Sequence, residues 1–167
     1  DFRVLCKKLL DNLHQPKTSI KSVAVSTIAP CVLPVDKNGK PLRPGILYGI
    51  DTRAEKEIRE IEARVGNDLI FAKTGQDLSS QSCCPKILWI KKHEPEVWQK
   101  TAKVLTATGY LVYKLTNEYT LDIYNAMGYA PIFDIQQKIW DTSVADFITE
   151  PDKLPELLWS NQIAGEI

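Results

Sequence analysis

Residues 20–28 place the strongest limit on what this chain can fold into. In this run Val23, Val25 and Thr27 alternate with Ser22, Ala24 and Ser26. Both sets are small or apolar, the pattern of a strand buried on both faces. A strand covered twice needs packed layers on either side, and stretches of helical period supply them along the rest of the chain. Strands that come early and close together, mixed with helices, argue for an α/β or α+β domain rather than a bundle or a sandwich.

Length and composition agree with one such domain. The chain has 167 residues, against about 150 for a typical domain. Apolar residues make up 44% and charged residues 25%, so a disordered or coiled-coil chain is excluded. Twenty-one Lys and Arg balance 21 Asp and Glu. A nucleic-acid binder would be basic, so no nucleic-acid partner is expected. No stretch approaches ~18 consecutive apolar residues, so no membrane partner is expected either. The four cysteines, Cys6, Cys31, Cys83 and Cys84, form no CxxC pair, and His14 and His93 read as isolated. No metal site is expected from them. Cys83 and Cys84 read as reduced, partly buried thiols in a cytoplasmic setting.

Local patterns predict the following order. Phe2, Leu5, Leu9 and Leu13 mark a helix over 1–13, with Cys6 and Leu10 widening the stripe, and Gln15-Pro16-Lys17-Thr18 breaks it. After the 20–28 strand, 31–35 is a second apolar run, 36–39 a hairpin turn and 46–48 another strand. Asp51 or Thr52 caps a helix ending near Val65, with Gly66 closing it. Residues 71–82 read as loop and 85–92 as a helix. Pro95 sits at the first position of the next helix; Val97, Trp98, Thr101, Val104 and Leu105 form its apolar face and Gly109 its end. A third short helical element follows at 110–115. Residues 132–134 look like a strand end, 141–148 helical and 151–167 extended.

The common catalytic signatures GxxxxGK[ST], GxGxxG and GxSxG are absent. Four groupings could carry chemistry. Ala29-Pro30 leaves the 20–28 strand, where open α/β sheets bind ligands, although an ordinary strand-to-loop exit is the plainer reading. Asp51 and Arg53 lie between a strand end and a helix start; Arg53 could clamp a polar ligand, or the two could form a cap and a local ion pair. Trp89 could wall a sugar site, or be core. Asp122 and Asn125 could bind hydroxyl groups, or cap a helix. Taken together they suit a neutral, hydroxyl-rich ligand.

Several blocks then match, in order, one known family. Val32-Leu33-Pro34-Val35-Asp36 followed by Gly39-Lys40-Pro41-Leu42-Arg43-Pro44, the Ile46–Arg53 block ending in Asp-x-Arg, and Lys86-Ile87-Leu88-Trp89 with Pro95-Glu96-Val97-Trp98 are three of them. Tyr110–Glu118 with Asn117 in place of a glycine, Asp122–Ala126, Trp140-Asp141 and Pro155-Glu156-Leu157 before Gly165 complete the series. In these blocks the chain resembles the amino-terminal domain of the FGGY carbohydrate kinases, which include xylulokinases, glycerol kinases and gluconate kinases.

The resemblance implies an α/β fold: an incomplete RNase H-like (actin-like ATPase) domain, a mixed sheet with flanking helices, spanning 1–167. It implies an ATP-dependent kinase whose partner is a small-molecule sugar. It also implies that the phosphate loop lies before this chain, and that the catalytic Asp and the nucleotide domain lie beyond Ile167. ATP and Mg²⁺ are therefore expected with the longer protein and not with these residues, which are expected to be inactive alone. Carried over by position, Ala29, Pro30, Trp89, Asp122, Ile123 and Asn125 face the substrate, with Asp51 and Arg53 in a block of partly structural role. Xylulokinases have a sugar-binding His where this chain has Pro30, and glycerol kinases a charged pair at Ala29-Pro30, so another ketose, polyol or aldonate is open. The edge of the 20–28 strand invites pairing, which admits a homodimer. The alternative is a non-catalytic half-domain that holds a sugar or a protein.

Overall fold

The structure, a computed structural model, describes residues 2–14 and 20–167. In chain order the elements are α1 (Phe2–Asn12), β1 (Leu33–Val35), α2 (Glu55–Val65), α3 (Asn67–Thr74), α4 (Cys83–His93), α5 (Pro95–Lys100), β2 (Lys103–Leu105), α6 (Ala107–Thr116), β3 (Thr120–Asp122), α7 (Ile123–Ala126), β4 (Phe133–Asp134), β5 (Ile139–Trp140) and β6 (Glu156–Leu158). Single 3-10 turns cover Met127–Tyr129, Thr142–Ala145 and Pro151–Lys153.

The fold is α/β with a mixed strand set. β1 pairs antiparallel with β2, placing Leu33 opposite Leu105. β4 pairs antiparallel with β5, placing Phe133 opposite Trp140. β3 pairs parallel with β6, placing Leu121 opposite Leu157. Helix α4 lies at the centre, against α2, α5 and the 127–129 turn. Its Cys84, Ile87 and Ile90 are wholly buried and join Ile61, Ile70, Val104, Tyr129 and Phe133 in one core. Burial of this kind stabilises by roughly 1.5–3 kcal/mol per large apolar side chain.

The sequence readings meet this structure unevenly. The 20–28 segment is irregular, pairs with none of the described strands and leaves Ile20, Val23 and Ile28 exposed. An alternating pattern specifies a strand only where a partner ladder lies alongside, and no described segment does so here. The edge from which pairing with a second copy was expected is therefore not formed. Helix α1 is present, but Leu5, Leu9 and Leu13 of its stripe are exposed. The side chains of Phe2 and Cys6 of that stripe, and the break at 15–18, lie outside what is described.

Of the strand read at 46–48, only Ile46 pairs, exchanging bonds with Val32 of 3.0 and 2.9 Å before the chain turns at 48–50. The helix read from Asp51 begins at Glu55, because Asp51 binds Arg53 rather than the first turn. Part of the loop read at 71–82 belongs to α3, which buries Ile70 and ends on Gly75 in the left-handed conformation.

Val104 and Leu105, read on a helical face, lie in β2. The chain crosses there to the Val35 carbonyl, which accepts from Ala102 N. Gly109, read as a helix end, stands inside α6. Its N–H bonds the Thr106 cap at 3.1 Å, and a Cβ there would sit 3.0 Å from the Thr120 carbonyl. The helix read at 141–148 is a 3-10 turn preceded by Asp141, whose carboxylate is held by Lys73 and Ser143. The 151–167 tail contains a 3-10 turn and β6. Cys83 and Cys84 are free thiols but fully buried, and burial pushes both thiols well above their ordinary pKa.

Candidate functional site

Where the chain leaves Ile46 it opens a hollow of about 600 Å³ lined by Gly45, Leu47, Ile50, Asp51, Thr52, Arg53 and Trp89. Two structures position it. The loop after Ile46 turns on Gly49, whose φ of 73° lies in the left-handed region. Helix α4 presents Trp89 from the other side. Lys86, one turn before Trp89 on α4, ties the two together: its ammonium donates to the Leu47 carbonyl at 2.8 Å and to the Ser80 carbonyl at 2.6 Å. Ser80 Oγ in turn donates to the Gly49 carbonyl at 3.2 Å. Lys86 is almost wholly buried, and that burial lowers its pKa.

Asp51 and Arg53 are brought face to face. Arg53 Nε donates to Asp51 Oδ1 at 2.8 Å and to Oδ2 at 3.1 Å, and Nη2 donates to Oδ2 at 2.8 Å. This bidentate geometry is the strong form of the pair. The hydrogen bonds from the guanidinium hold the Asp51 carboxyl below the usual carboxylate range. They also engage only Nε and Nη2, so the Nη1 hydrogens remain outside the pair. The guanidinium carbon lies 4.8 Å from the Trp89 ring centroid. Trp89 itself is half-buried. Leu47 and Ile50 are 42% and 78% exposed, so the hollow carries uncovered apolar surface beside a self-neutralised ion pair.

His93, read from the sequence as isolated, is not. Its ring stacks on Trp89 with centroids 4.9 Å apart and planes at 24°, and its Nε2 is 3.4 Å from Glu57 Oε1. Neither Lys86 nor His93 was singled out from the sequence. The available signal was helical spacing: both fall within one turn of Trp89 on the same helix.

The other candidates form a second group. Pro30 packs against the 127–129 turn so closely that a Cβ on Gly128 would lie 2.7 Å from Pro30 Cβ. Thr27 Oγ1 bonds Thr108 Oγ1 at 2.8 Å and anchors the irregular segment leading into Ala29. Asp122 is the N-cap of α7: its Oδ1 accepts from Asn125 N at 3.1 Å, and its Oδ2 accepts from Asn125 Nδ2. Ser160 Oγ lies 3.5 Å from the same Oδ1. Ile123 packs against the core. Asp51, Arg53 and Trp89 thus share one hollow, whereas Ala29, Pro30, Asp122, Ile123 and Asn125 surround the α7 turn and do not line it.

The site is thus an open hollow with a Trp wall beside an Asp–Arg pair whose charges offset each other. Comparison with known proteins then specifies the family. The profile of the FGGY family of carbohydrate kinases, N-terminal domain, matches residues 2–167, and the chain belongs to that family. A xylulose kinase from Lactococcus lactis subsp. lactis is 34% identical over 132 residues, covering 78% of this chain and 26% of its own length. The crystal structure of xylulose kinase from Rhodospirillum rubrum superposes with a TM-score of 0.81 at 25% identity, covering 90% of this chain and 32% of that one. The structure of Plasmodium falciparum glycerol kinase with ADP gives 0.80 at 29% identity, covering 87% and 30%. The fold is therefore that of the FGGY kinases, an actin-like ATPase fold, and the chain spans about a third of the length of such relatives. Among the described residues, no helix is long and apolar enough to cross a membrane.

Proposed function

We propose that this chain is the sugar-facing part of a longer, cytoplasmic, ATP-dependent carbohydrate kinase of xylulokinase-like type. The observation that carries the reading is the hollow itself: Trp89 offers a flat apolar ring beside Asp51 and Arg53, which neutralise each other. A ketose or polyol presents C–H faces to such a ring and hydroxyls to the remaining donors and acceptors. An aldonate fits less well, because the Arg53 guanidinium is already committed to Asp51. Asp51 is likewise no general base, since Arg53 keeps it ionised and poorly basic. Ala29, Pro30, Ile123, Asp122 and Asn125 shape the neighbouring turn of the acceptor side.

ATP and Mg²⁺ supply the phosphoryl group and the charge compensation for its transfer. Among the described residues, no cluster of three or more His, Cys, Asp or Glu side chains is placed to hold a metal. The nucleotide and its metal are expected with the longer protein. Taken alone, the 167 residues are expected to be inactive.

The test is a coupled ADP-release assay on the longer protein, with a panel of ketoses, polyols and aldonates. Turnover on a neutral ketose or polyol is the expected result. Turnover on none of the panel favours a non-catalytic half-domain that holds a sugar or a protein.

A further inference from the structure

We infer that His93, held by the buried carboxylate of Glu57, is the positioning residue for the Trp89 ring, an inference that rests on the carbohydrate reading of the hollow. Glu57 stands on α2, and its side chain is only 2% exposed. Its Oε2 is buried with no hydrogen-bond partner. A buried carboxylate in that state favours a cation or strong donor against its other oxygen. Two groups reach Oε1: His93 Nε2 at 3.4 Å and Lys92 Nζ at 3.6 Å. Lys92 is drawn outward by Glu60, at 2.5 Å. His93 is the one that also touches the site, through its stack on Trp89.

The arrangement links a buried anchor to an exposed wall. Glu57 orients the imidazole, and the imidazole fixes the plane of the indole four residues back on α4. Arg53 contacts the same ring from the loop side. The charged groups facing His93 are thus Glu57 from α2 and Lys92 from its own helix, with Arg53 across the ring.

The experiment compares His93→Ala, His93→Phe and His14→Asn in the protein that carries this chain. A positioning role predicts that His93→Ala raises KM for the carbohydrate about three- to fivefold, the size of a partly exposed aromatic pair, with kcat little changed. His93→Phe keeps a ring to stack and recovers most of that KM. A second readout is spectroscopic. The imidazole lies against the indole, so its loss in His93→Ala shifts the tryptophan emission, whereas His14→Asn leaves the emission as it was. An emission unchanged in His93→Ala, or a KM unmoved in His93→Ala while the parent turns over its sugar, overturns the inference. Absence of turnover by the unsubstituted protein on every carbohydrate overturns the kinase reading instead.

Discussion

At the Trp89 hollow, Asp51 and Arg53 bind each other at the surface and leave the ring and the Nη1 hydrogens open, whereas at the start of α7 Asp122 commits both oxygens to the helix it begins. Both are acid residues two or three positions from a polar partner, in family blocks of similar appearance. The difference lies in which donor reaches the carboxylate. A guanidinium on a long side chain reaches back and keeps the pair outside the helix. A backbone N–H three residues on can only be reached by a cap. The first arrangement creates a surface on which a ligand can sit, and the second creates the turn beside it.

Four measurements break or sharpen this contrast. The largest effect is expected from Lys86→Met. It removes the ammonium that both the Leu47 and Ser80 carbonyls accept from at a part-buried position, which costs about 1–3 kcal/mol of stability. It also releases the loop that forms the hollow, so denaturant unfolding and carbohydrate KM should both move. Unaltered stability would mean that the loop is held by something other than this ammonium. On the other side, Gly128→Ala drives a methyl into Pro30 and is expected to destabilise by roughly 1–3 kcal/mol. A neutral outcome would show that the Pro30 loop yields freely.

Next in size, Asp122→Ala removes the α7 cap and is expected to cost about 1 kcal/mol, while Asp122→Asn keeps an acceptor and stays within a few tenths. A large KM effect from Asp122→Asn at unchanged stability would move Asp122 from architecture to substrate binding. The smallest effect is on pH dependence. Asp51, Asp134 and Asp141 all have lowered pKa values: from Arg53 for the first, from the Gln137 N–H and then Lys73 for the second, and from Lys73 and then Ser143 for the third. A lowered carboxyl stabilises the fold above its unfolded value of about 3.9 and loses that contribution as pH falls through the folded value. Thermal unfolding should therefore be insensitive to pH at neutrality and fall on acidification below about pH 4. Removing Arg53 should blunt that fall only slightly, since exposed pairs contribute under about 1 kcal/mol.

The sequence showed helices at α2, α4 and α5 and left Trp89 open as sugar wall or core. It did not show where a period of 3.6 would be overruled. Val104 and Leu105 continue the helical spacing of Trp98 and Thr101, yet the β1 backbone draws them into a strand. Residues 20–28 have an ideal strand pattern and form none, since pairing is a property of two segments and a pattern belongs to one. The same holds in the site. Asp51, Arg53 and Trp89 were legible as residue types, whereas the Glu57–His93 pair spans two helices 36 residues apart and leaves no local mark.

The most direct test of the central claim is the kinetic comparison of Trp89→Leu with Ile123→Val in the protein that carries this chain. If the hollow at Trp89 is the carbohydrate wall, Trp89→Leu raises KM for the sugar about tenfold or more, with KM for ATP unchanged, and Ile123→Val moves neither. A sugar KM unaffected by Trp89→Leu and raised by Ile123→Val would place the substrate at the α7 turn and contradict the account.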